Sequence, residues 1–334
     1  MDACGVGALP DAAAYGDPVD ANTLAHVAEA VGGLHLPTLA ALGLGNITEI
    51  EGVPASDHPV VHGRLHPVGP GKESTTGHWE LMGVVPDHPL PTYPDGFPPD
   101  VISDLVRATG LRFCCNRPYS GTEVIEDFGV HHLETGEVIL YTSADSVLQL
   151  AAHVDVLDEP ALYAACEAAR EVMTGEHAVG KIRDLFAGVG ISEKHEGATN
   201  AKGIASTTAL LESLDEGLIF VNLVETDQVY GHRHDVDGFH EALKEIDAAV
   251  AAWLPLLRDD DLLVLTADHG VDPNSGHTDH TREYAPLLAR FHATDASTAS
   301  GRHDGPLSDV GASVFRWLTG RDAPNLPGEP FVST

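Results

Sequence analysis

The sequence predicts an α/β fold: a doubly wound core sheet interrupted by a smaller α+β domain. Two continuous apolar runs that end in acidic residues, 218–227 and 262–270, are typical of parallel strands buried on both faces. Between them, residues 237–257 repeat apolar positions at the three- and four-residue spacing of a helix. Strand, helix and strand in this order form a βαβ unit, so we expect functional residues beyond the carboxyl ends of the strands.

The middle of the chain is predicted to be an inserted cap domain. It begins at a proline-rich stretch, DHPLPTYPDGFPPD, and contains a third, less regular strand at 138–145. The core would then comprise residues 1–88 and 179–334, and the cap residues 89–178. Residues 308–320 read as a helix that closes the core and stops at a glycine.

Charge and hydropathy exclude several classes of partner. The net charge is −33, with 51 acidic against 18 basic residues, whereas nucleic acids and anionic membranes require clustered Lys and Arg. No apolar run approaches the roughly 20 residues of a membrane helix, and no basic, apolar leader opens the chain. We therefore expect a cytoplasmic protein without nucleic-acid or membrane partners, and nothing indicates an oligomeric state. Its cysteines are predicted to be buried, reduced thiols.

Two predicted strand ends carry candidate metal ligands. Asp268 and His269 follow one strand, with His280 eleven residues beyond His269. Asp227 follows the other strand, five residues before His232. Carboxylate oxygens and imidazole nitrogens suit divalent first-row metals. Two adjacent strand ends that each offer Asp and His predict a pair of metal ions at one edge of the sheet, and the alternative is a set of solvated loop acids.

A glycine-rich stretch, GPGKESTTGHWELMG at 69–83, carries Lys72 and three consecutive hydroxyls, Ser74, Thr75 and Thr76. Such a stretch can present an activated nucleophile, although a turn or helix cap is the more common role. A nearby pair of metals would favour the first role, because a hydroxyl nucleophile must lose its proton. Asp2, which precedes a Gly-x-Gly turn, suggests a further acid at a strand end, although no strand precedes it and a near-terminal Asp is more often solvated.

Several strings, in order along the chain, resemble the phosphopentomutases of the alkaline phosphatase superfamily. Among them are MDACGVGALPDAAAYGD, GKESTTGHWELMG, YTSADSVLQLAAH, NLVETDQVYGHR and TADHGVDPNSGHTDHTREYAPLL. The resemblance implies an alkaline-phosphatase-like core with a cap, and interconversion of ribose 1-phosphate and ribose 5-phosphate or their deoxyribose equivalents. It also implies a phosphorylated hydroxyl, two Mn²⁺ ions (other divalent metals being possible) and a sugar bisphosphate as activator.

The same resemblance assigns roles to individual residues. It gives one metal to Asp227, His232 and His280, and the other to Asp2, Asp268 and His269. Asp279 is not a ligand in this pattern.

The phosphorylated residue falls on Ser74, where the family usually carries Thr after GKD, and Thr75 is the second candidate. Positions near the sugar correspond to Ser143, Asp145 and Lys181.

The chain departs from the family pattern in two places. The family has an apolar strand before its first metal-binding Asp, where this sequence has only Met1, so we expect the natural start to lie upstream. The late cap segment with its phosphate-binding arginines has no counterpart within 173–197. Candidate replacements are Arg112, Arg117, Arg170 and Arg183. The alternatives are therefore a phosphatase or phosphoglycerate-type mutase on the same core, or a non-catalytic metal-binding remnant.

Overall fold

The computed structural model describes residues 1–88, 93–142, 148–173, 192–292 and 298–332. The chain forms two compact units, Met1–Pro89 with Lys181–Thr334, and Leu90–Gly180. The first predicted domain boundary, after residue 88, lies one residue before the observed one. The second, after residue 178, lies two residues before the observed one.

Helices and strands are interspersed along the chain. In the described ranges the helices are α1 (Thr23–Val31), α2 (Pro37–Leu42), α3 (Leu44–Ile47), α4 (Ser74–Leu81), α5 (Pro99–Thr109), α6 (Glu123–Thr135), α7 (Glu159–Met173), α8 (Asn200–Ser213), α9 (Val236–Trp253) and α10 (Ser308–Thr319). The strands are β1 (Val61–His66), β2 (Phe113–Pro118), β3 (Val138–Thr142), β4 (Leu148–Ala151), β5 (Leu263–Thr266), β6 (Ala285–Arg290), β7 (Gly301–Arg302) and β8 (Gly305–Pro306). Short 3-10 or π turns lie at Ala12–Tyr15, Thr226–Tyr230, Gly231–Arg233 and Leu254–Leu256.

The sheet of the larger unit is mixed rather than parallel. Its order is β5-β6-β1-β7, and β8 also pairs with β1. β6 runs antiparallel to both β1 and β5, with Leu288 opposite Leu265, whereas β7 and β8 run parallel to β1. The prediction that residues 262–270 form a parallel strand is therefore wrong. Among the described residues β5 pairs with one strand, β6, and that pairing is antiparallel.

The prediction of a buried strand at 218–227 is also wrong. Residues 218–224 form no ladder with any described strand, and Leu218 is 50% exposed. The backbone N–H of Asp2 donates to the carbonyl of Leu223 at 3.3 Å, and the amino group of Met1 donates to the carbonyl of Thr266 at 2.9 Å. Met1 and Asp2 thus lie between this segment and β5, but two residues cannot supply the repeated hydrogen bonds that define a strand.

The helix predicted at 237–257 is confirmed as α9 with a 3-10 turn after it. Its buried side chains, which recur at helical spacing, include Phe239, Leu243, Ile246, Val250 and Trp253. They join the main core with residues of β5 and β6.

The N-terminus of α9 is capped by the side chain of Asp235, which accepts a hydrogen bond from the N–H of Gly238 at 2.9 Å. The predicted closing helix is confirmed as α10, and Gly320 ends it in the left-handed conformation at φ 66°.

The smaller unit contains the sheet β2-β3-β4. β3 is parallel to β2, antiparallel to β4 and fully buried, and Leu140 packs with Phe97, Leu105 and Ala169. Of the four cysteines, Cys4 is buried as predicted, Cys114 and Cys115 are half-buried, and Cys166 on α7 is exposed, so the predicted burial is confirmed for Cys4 and wrong for Cys166. In the described part of the chain, no helix combines the length and the apolar character needed to cross a bilayer.

Candidate metal centre and nucleophile

Two acidic residues and a histidine meet beyond the end of β5, beside the first residues of the chain. Asp2 and Asp268 are both buried, as is the imidazole of His269 that lies between them. Nε2 of His269 is 3.2 Å from Oδ2 of Asp268 and 3.6 Å from Oδ1 of Asp2. One ligand atom from each of the three residues lies within 4.8 Å of the other two, so this first group can surround a single cation.

A second group adjoins the first and shares His269 with it. Asp227, His269 and His280 also have ligand atoms within 4.8 Å of one another. Nε2 of His280 is 3.5 Å from Oδ1 of Asp227, and the rings of His269 and His280 stack with their centroids 3.8 Å apart. The structure therefore brings five of the six predicted ligands together in two adjoining groups.

The sixth predicted ligand, His232, lies at the edge of the second group. Its Nε2 is 3.3 Å from Oδ1 of Asp227, and its ring centroid is 4.8 Å from that of His280. Its Nδ1–H donates to the carbonyl of Thr278 at 2.6 Å. A histidine held in this way presents its other nitrogen as a lone pair, which is the arrangement of metal-binding histidines in proteins.

The electrostatics of the two groups fit divalent cations. Oδ1 of Asp227 and Oδ2 of Asp268 are buried and have no well-formed hydrogen bond among the described residues. Burial alone raises the pKa of each carboxyl, but the neighbouring histidines outweigh it and hold both pKa values below the usual range. Burial lowers the pKa of His269, yet the charges of Asp268, Asp227 and Asp2 raise it to about 10.

A proton on His269 thus offsets the negative charge of the buried carboxylates. A cation that binds carboxylate oxygens can offset this charge instead. The mixed oxygen and nitrogen donor set is the one that divalent first-row metals prefer. The residues present therefore fit a pair of divalent cations.

Ser74 brings a hydroxyl to this cluster. It is the first residue of α4, and its Oγ lies 2.9 Å from Nε2 of His269. The ring N–H of His78, one turn later, donates to the carbonyl of Ser74 at 2.8 Å and lies 3.1 Å from Oδ2 of Asp268. At Gly77 a Cβ atom would lie 2.5 Å from the carbonyl oxygen of Asp268, so only glycine allows α4 to approach this closely.

The two other hydroxyls of the run are used differently. Thr76 donates to the carbonyl of Glu73 at 3.1 Å, and Thr75 is buried in the helix. Of the three candidates, only Ser74 has a recorded contact with a member of the metal groups.

The loop before Ser74 is fixed from two sides. The carboxylate of Glu80 accepts hydrogen bonds from the N–H groups of Val68 at 2.6 Å and Gly69 at 2.9 Å. The buried guanidinium of Arg282 donates to the carbonyls of Gly69, at 2.9 Å, and Gly71. These contacts hold the loop that leads into α4.

Asp279 lies outside both groups. Its Oδ2 is 3.2 Å from Nζ of Lys72, which also lies 2.8 Å from Oδ1 of Asp17. Of the neighbouring Asp279 and His280, the first therefore forms an ion pair with Lys72, and the second belongs to a metal group. Asp17 and Arg282 were not identified from the sequence.

The remaining predicted residues are placed as follows. Ser143, Asp145, Lys181 and Arg183 lie outside the described residues, as does the side chain of Arg170. In the smaller unit, Arg112 lies 3.6 Å from a carboxylate oxygen of Glu137 and Arg117 lies against the ring of Tyr119.

Comparison with known proteins gives consistent results across the chain. The model of the metalloenzyme superfamily matches residues 1–319. A phosphopentomutase of Dictyoglomus thermophilum is 41% identical over 382 aligned positions, covering 100% of this chain and 96% of that protein. A phosphopentomutase of Anaeromyxobacter dehalogenans is 43% identical over 371 positions, covering 95% and 93%. The structure of the PH0037 protein from Pyrococcus horikoshii aligns with a TM-score of 0.47 and 14% identity, covering 88% and 94%.

The length of the first alignment carries additional information. It spans 382 positions, whereas this chain has 334 residues, so at least 48 aligned positions of the relative have no residue opposite them here. The chain is thus shorter than its relative at positions inside the aligned region.

Proposed function

This chain belongs to the metalloenzyme superfamily and, within it, to the phosphopentomutases, and we propose on that basis that it interconverts ribose 1-phosphate and ribose 5-phosphate. The deoxyribose equivalents are included in the proposal. The reaction moves a phosphoryl group between two hydroxyls of one sugar, so the protein is an isomerase. Family membership also confirms the predicted fold class, an α/β metalloenzyme core.

One observation supports the proposal above the others. The Oγ atom of Ser74 lies 2.9 Å from Nε2 of His269, the residue that the two candidate metal groups share. A hydroxyl in this position can act as the residue that accepts and returns the phosphoryl group. Thr75 has no such contact among the described residues, which favours Ser74 as the phosphorylated residue.

The proposed cofactors are two Mn²⁺ ions, with other divalent cations as substitutes. Asp2, Asp268 and His269 would hold one ion. Asp227 and His280 would hold the other, with His232 as the third ligand through the nitrogen that faces Asp227. When bound, such ions lower the pKa of a hydroxyl and neutralise the charge of phosphoryl oxygens.

The chain itself contributes position and a fixed dipole. Ser74 begins α4, so the first backbone N–H groups of the helix point toward its side chain and favour an anion there. His78 and Gly77 hold this helix end against Asp268. Phosphoryl transfer through a loose transition state depends mainly on such positioning and charge.

The reaction balances when each cycle begins and ends with phosphorylated Ser74. Phosphorylated Ser74 gives its phosphoryl group to the free hydroxyl of the sugar phosphate, which forms a bisphosphate and restores the Ser74 hydroxyl. That hydroxyl then takes the other phosphoryl group, which releases the isomer and regenerates phosphorylated Ser74. A sugar bisphosphate activator loads the unphosphorylated enzyme by the second of these steps.

Net charge limits how the substrate is held. A surface with net charge −33 repels a phosphorylated sugar at long range, so binding must rely on metal cations and a few bases. We propose that Ser143, Asp145 and Lys181 contact the sugar. We also propose a cytoplasmic location and the absence of nucleic-acid and membrane partners, both argued from the sequence.

A coupled assay tests the proposal on this chain. Ribose 1-phosphate is supplied with Mn²⁺ and a catalytic amount of ribose 1,5-bisphosphate, and ribose 5-phosphate and inorganic phosphate are both measured. We expect ribose 5-phosphate without stoichiometric phosphate release. Phosphate without isomerisation would identify a phosphatase, and bound metal without turnover would identify a non-catalytic remnant.

A further inference from the structure

The smaller unit contains a group of three metal-ligating side chains of its own. They are the thiol of Cys114, the imidazole of His131 and the carboxylate of Glu137, and one ligand atom of each lies within 4.8 Å of the other two. All three residues belong to the smaller unit, so the group is complete within it. None of them has a part in the proposed mutase reaction.

The connection from β2 through α6 to β3 brings these side chains together. Gly136, with φ 72°, ends α6, and Glu137 follows it directly before β3. Nε2 of His131, in the last two turns of α6, lies 2.9 Å from Oε2 of Glu137. Parallel pairing of β2 with β3 sets Cys114 opposite Ile139, and its Sγ is 3.8 Å from the carbonyl oxygen of Glu137. The group therefore results from the local geometry of one β-α-β crossover.

The charges of the group suit a cation. The hydrogen bond from His131 lowers the pKa of Glu137, so this carboxylate is ionised at neutral pH. Burial, followed by the charge of Glu137, raises the pKa of Cys114, so the thiol keeps its proton until a metal displaces it. The guanidinium of Arg112 lies 3.6 Å from Oε1 of Glu137, which leaves Oε2 as the oxygen that faces His131 and a metal.

The donor set identifies the class of cation. Thiolate sulfur, imidazole nitrogen and carboxylate oxygen are the ligands of Zn²⁺ in proteins, whereas Mn²⁺ prefers carboxylate and water oxygens. Three protein ligands leave the fourth position of a tetrahedral Zn²⁺ to water. The side chain of His131 is 48% exposed, so the metal and this water have access from solvent.

We propose that Cys114, His131 and Glu137 form a Zn²⁺ site in the smaller unit. Binding releases the thiol proton of Cys114 and replaces the hydrogen bond between His131 and Glu137 with two bonds to the metal. The bound ion then links β2, the end of α6 and the start of β3. This linkage stabilises a region whose apolar cluster is small, since its buried members are Val124, Ile139 and Tyr141.

A cobalt titration tests the site in the full chain. The protein is first saturated with Mn²⁺ and then titrated with Co²⁺, which gives a near-ultraviolet charge-transfer band when a thiolate binds it. The variants are Cys114→Ser, His131→Gln and Arg112→Gln. The matched controls are Cys115→Ser, at the adjacent half-buried cysteine, and Cys166→Ser, at the exposed one.

In the unsubstituted chain we expect the band to saturate at about one Co²⁺ per chain and to disappear when Zn²⁺ is added. Cys114→Ser should remove the band, and His131→Gln should weaken Co²⁺ binding by at least about tenfold. Arg112→Gln should tighten binding several-fold, because it removes a positive charge beside Glu137. Both control variants should titrate like the unsubstituted chain.

Three results would overturn the proposal. A band that survives in Cys114→Ser would place the bound thiolate at another cysteine, and the absence of a band in the unsubstituted chain would show that no thiolate binds. Equal Co²⁺ affinity in His131→Gln and the unsubstituted chain would remove the histidine from the site. Because the side chain of His131 is half exposed, His131→Gln should keep the Tm of the metal-free protein, so it separates loss of a ligand from loss of the fold even where Cys114→Ser unfolds.

Discussion

The hydroxyl of Ser74 lies 2.9 Å from Nε2 of His269, while Nδ1 of the same ring lies 3.2 Å from the carbonyl of Gly270. With its N–H donated to that carbonyl, a neutral His269 directs its lone pair toward Ser74, Asp2 and Asp268. The contact of His269 with the carbonyl of Gly270 thus orients this shared metal ligand toward the nucleophile, Ser74.

Replacing Ser74 by Ala should abolish mutase activity, with a loss of at least about a thousandfold, because among the hydroxyls at 74–76 it is that of Ser74 which contacts His269, the residue shared by both metal groups. Ser74→Thr should remain active, since the hydroxyl is kept. Mn²⁺ content, measured by elemental analysis, should not change in either variant. Full activity in Ser74→Ala with activity lost in Thr75→Val would assign the phosphoryl group to Thr75.

Asp279 and Asp268 should differ in their effect on metal content. Asp279→Asn removes a charge paired with Lys72, so the protein should keep its bound Mn²⁺. Asp268→Asn removes a member of the first group and should reduce the metal content by about one ion per chain. Titration of each variant with Mn²⁺ measures the difference. Equal losses in the two variants would place Asp279 among the ligands.

Metal-free protein should lose stability as the pH rises, and metal-loaded protein should not. The pKa of His269 is raised from 6.5 to about 10, since the carboxylates around it outweigh its burial. The contribution of protonated His269 to the free energy of unfolding is therefore complete below about pH 6.5 and is lost as the pH rises through about 10. Tm measured from pH 6 to 10, with EDTA and with Mn²⁺, follows the change.

The same titration predicts proton release on metal binding. At pH 7.5 a histidine with a pKa of about 10 is protonated, so binding a cation there must displace about one proton. Calorimetry in buffers with different ionisation enthalpies measures that number. His269→Gln should release none, and an unchanged release in this variant would assign the proton to another group.

Arg282 should be required for the placement of the nucleophile loop. Arg282→Met leaves the carbonyls of Gly69 and Gly71 without their buried donor, which should cost about 2–4 kcal/mol of folding free energy. Because the loop leads into Ser74, kcat should fall more than KM rises. The control is Arg316→Met, which breaks only a surface ion pair with Asp322 and should change stability by less than about 1 kcal/mol.

Local patterns in the sequence predicted the helices more accurately than the sheet. The apolar spacing of 237–257 and the glycine at 320 predicted α9 and α10 because helical hydrogen bonds and capping are local. The apolar run at 218–227 has the composition of a buried strand but forms none. A strand requires partners from elsewhere in the chain, and residues 218–224 form no ladder with any described strand.

For the candidate site, the types of the metal ligands and their positions after apolar runs could be predicted from the sequence. Asp227, Asp268 and His269 were identified because acids and histidines after apolar runs are conspicuous in one dimension. The three-dimensional arrangement was needed to show that His269 belongs to both groups, that Asp279 pairs with Lys72, and that the hydroxyl of Ser74 contacts His269. These distinctions depend on distances of a few ångströms between residues far apart in the chain, such as Ser74 and His269, which are 195 residues apart, and residue spacing along the chain does not encode them.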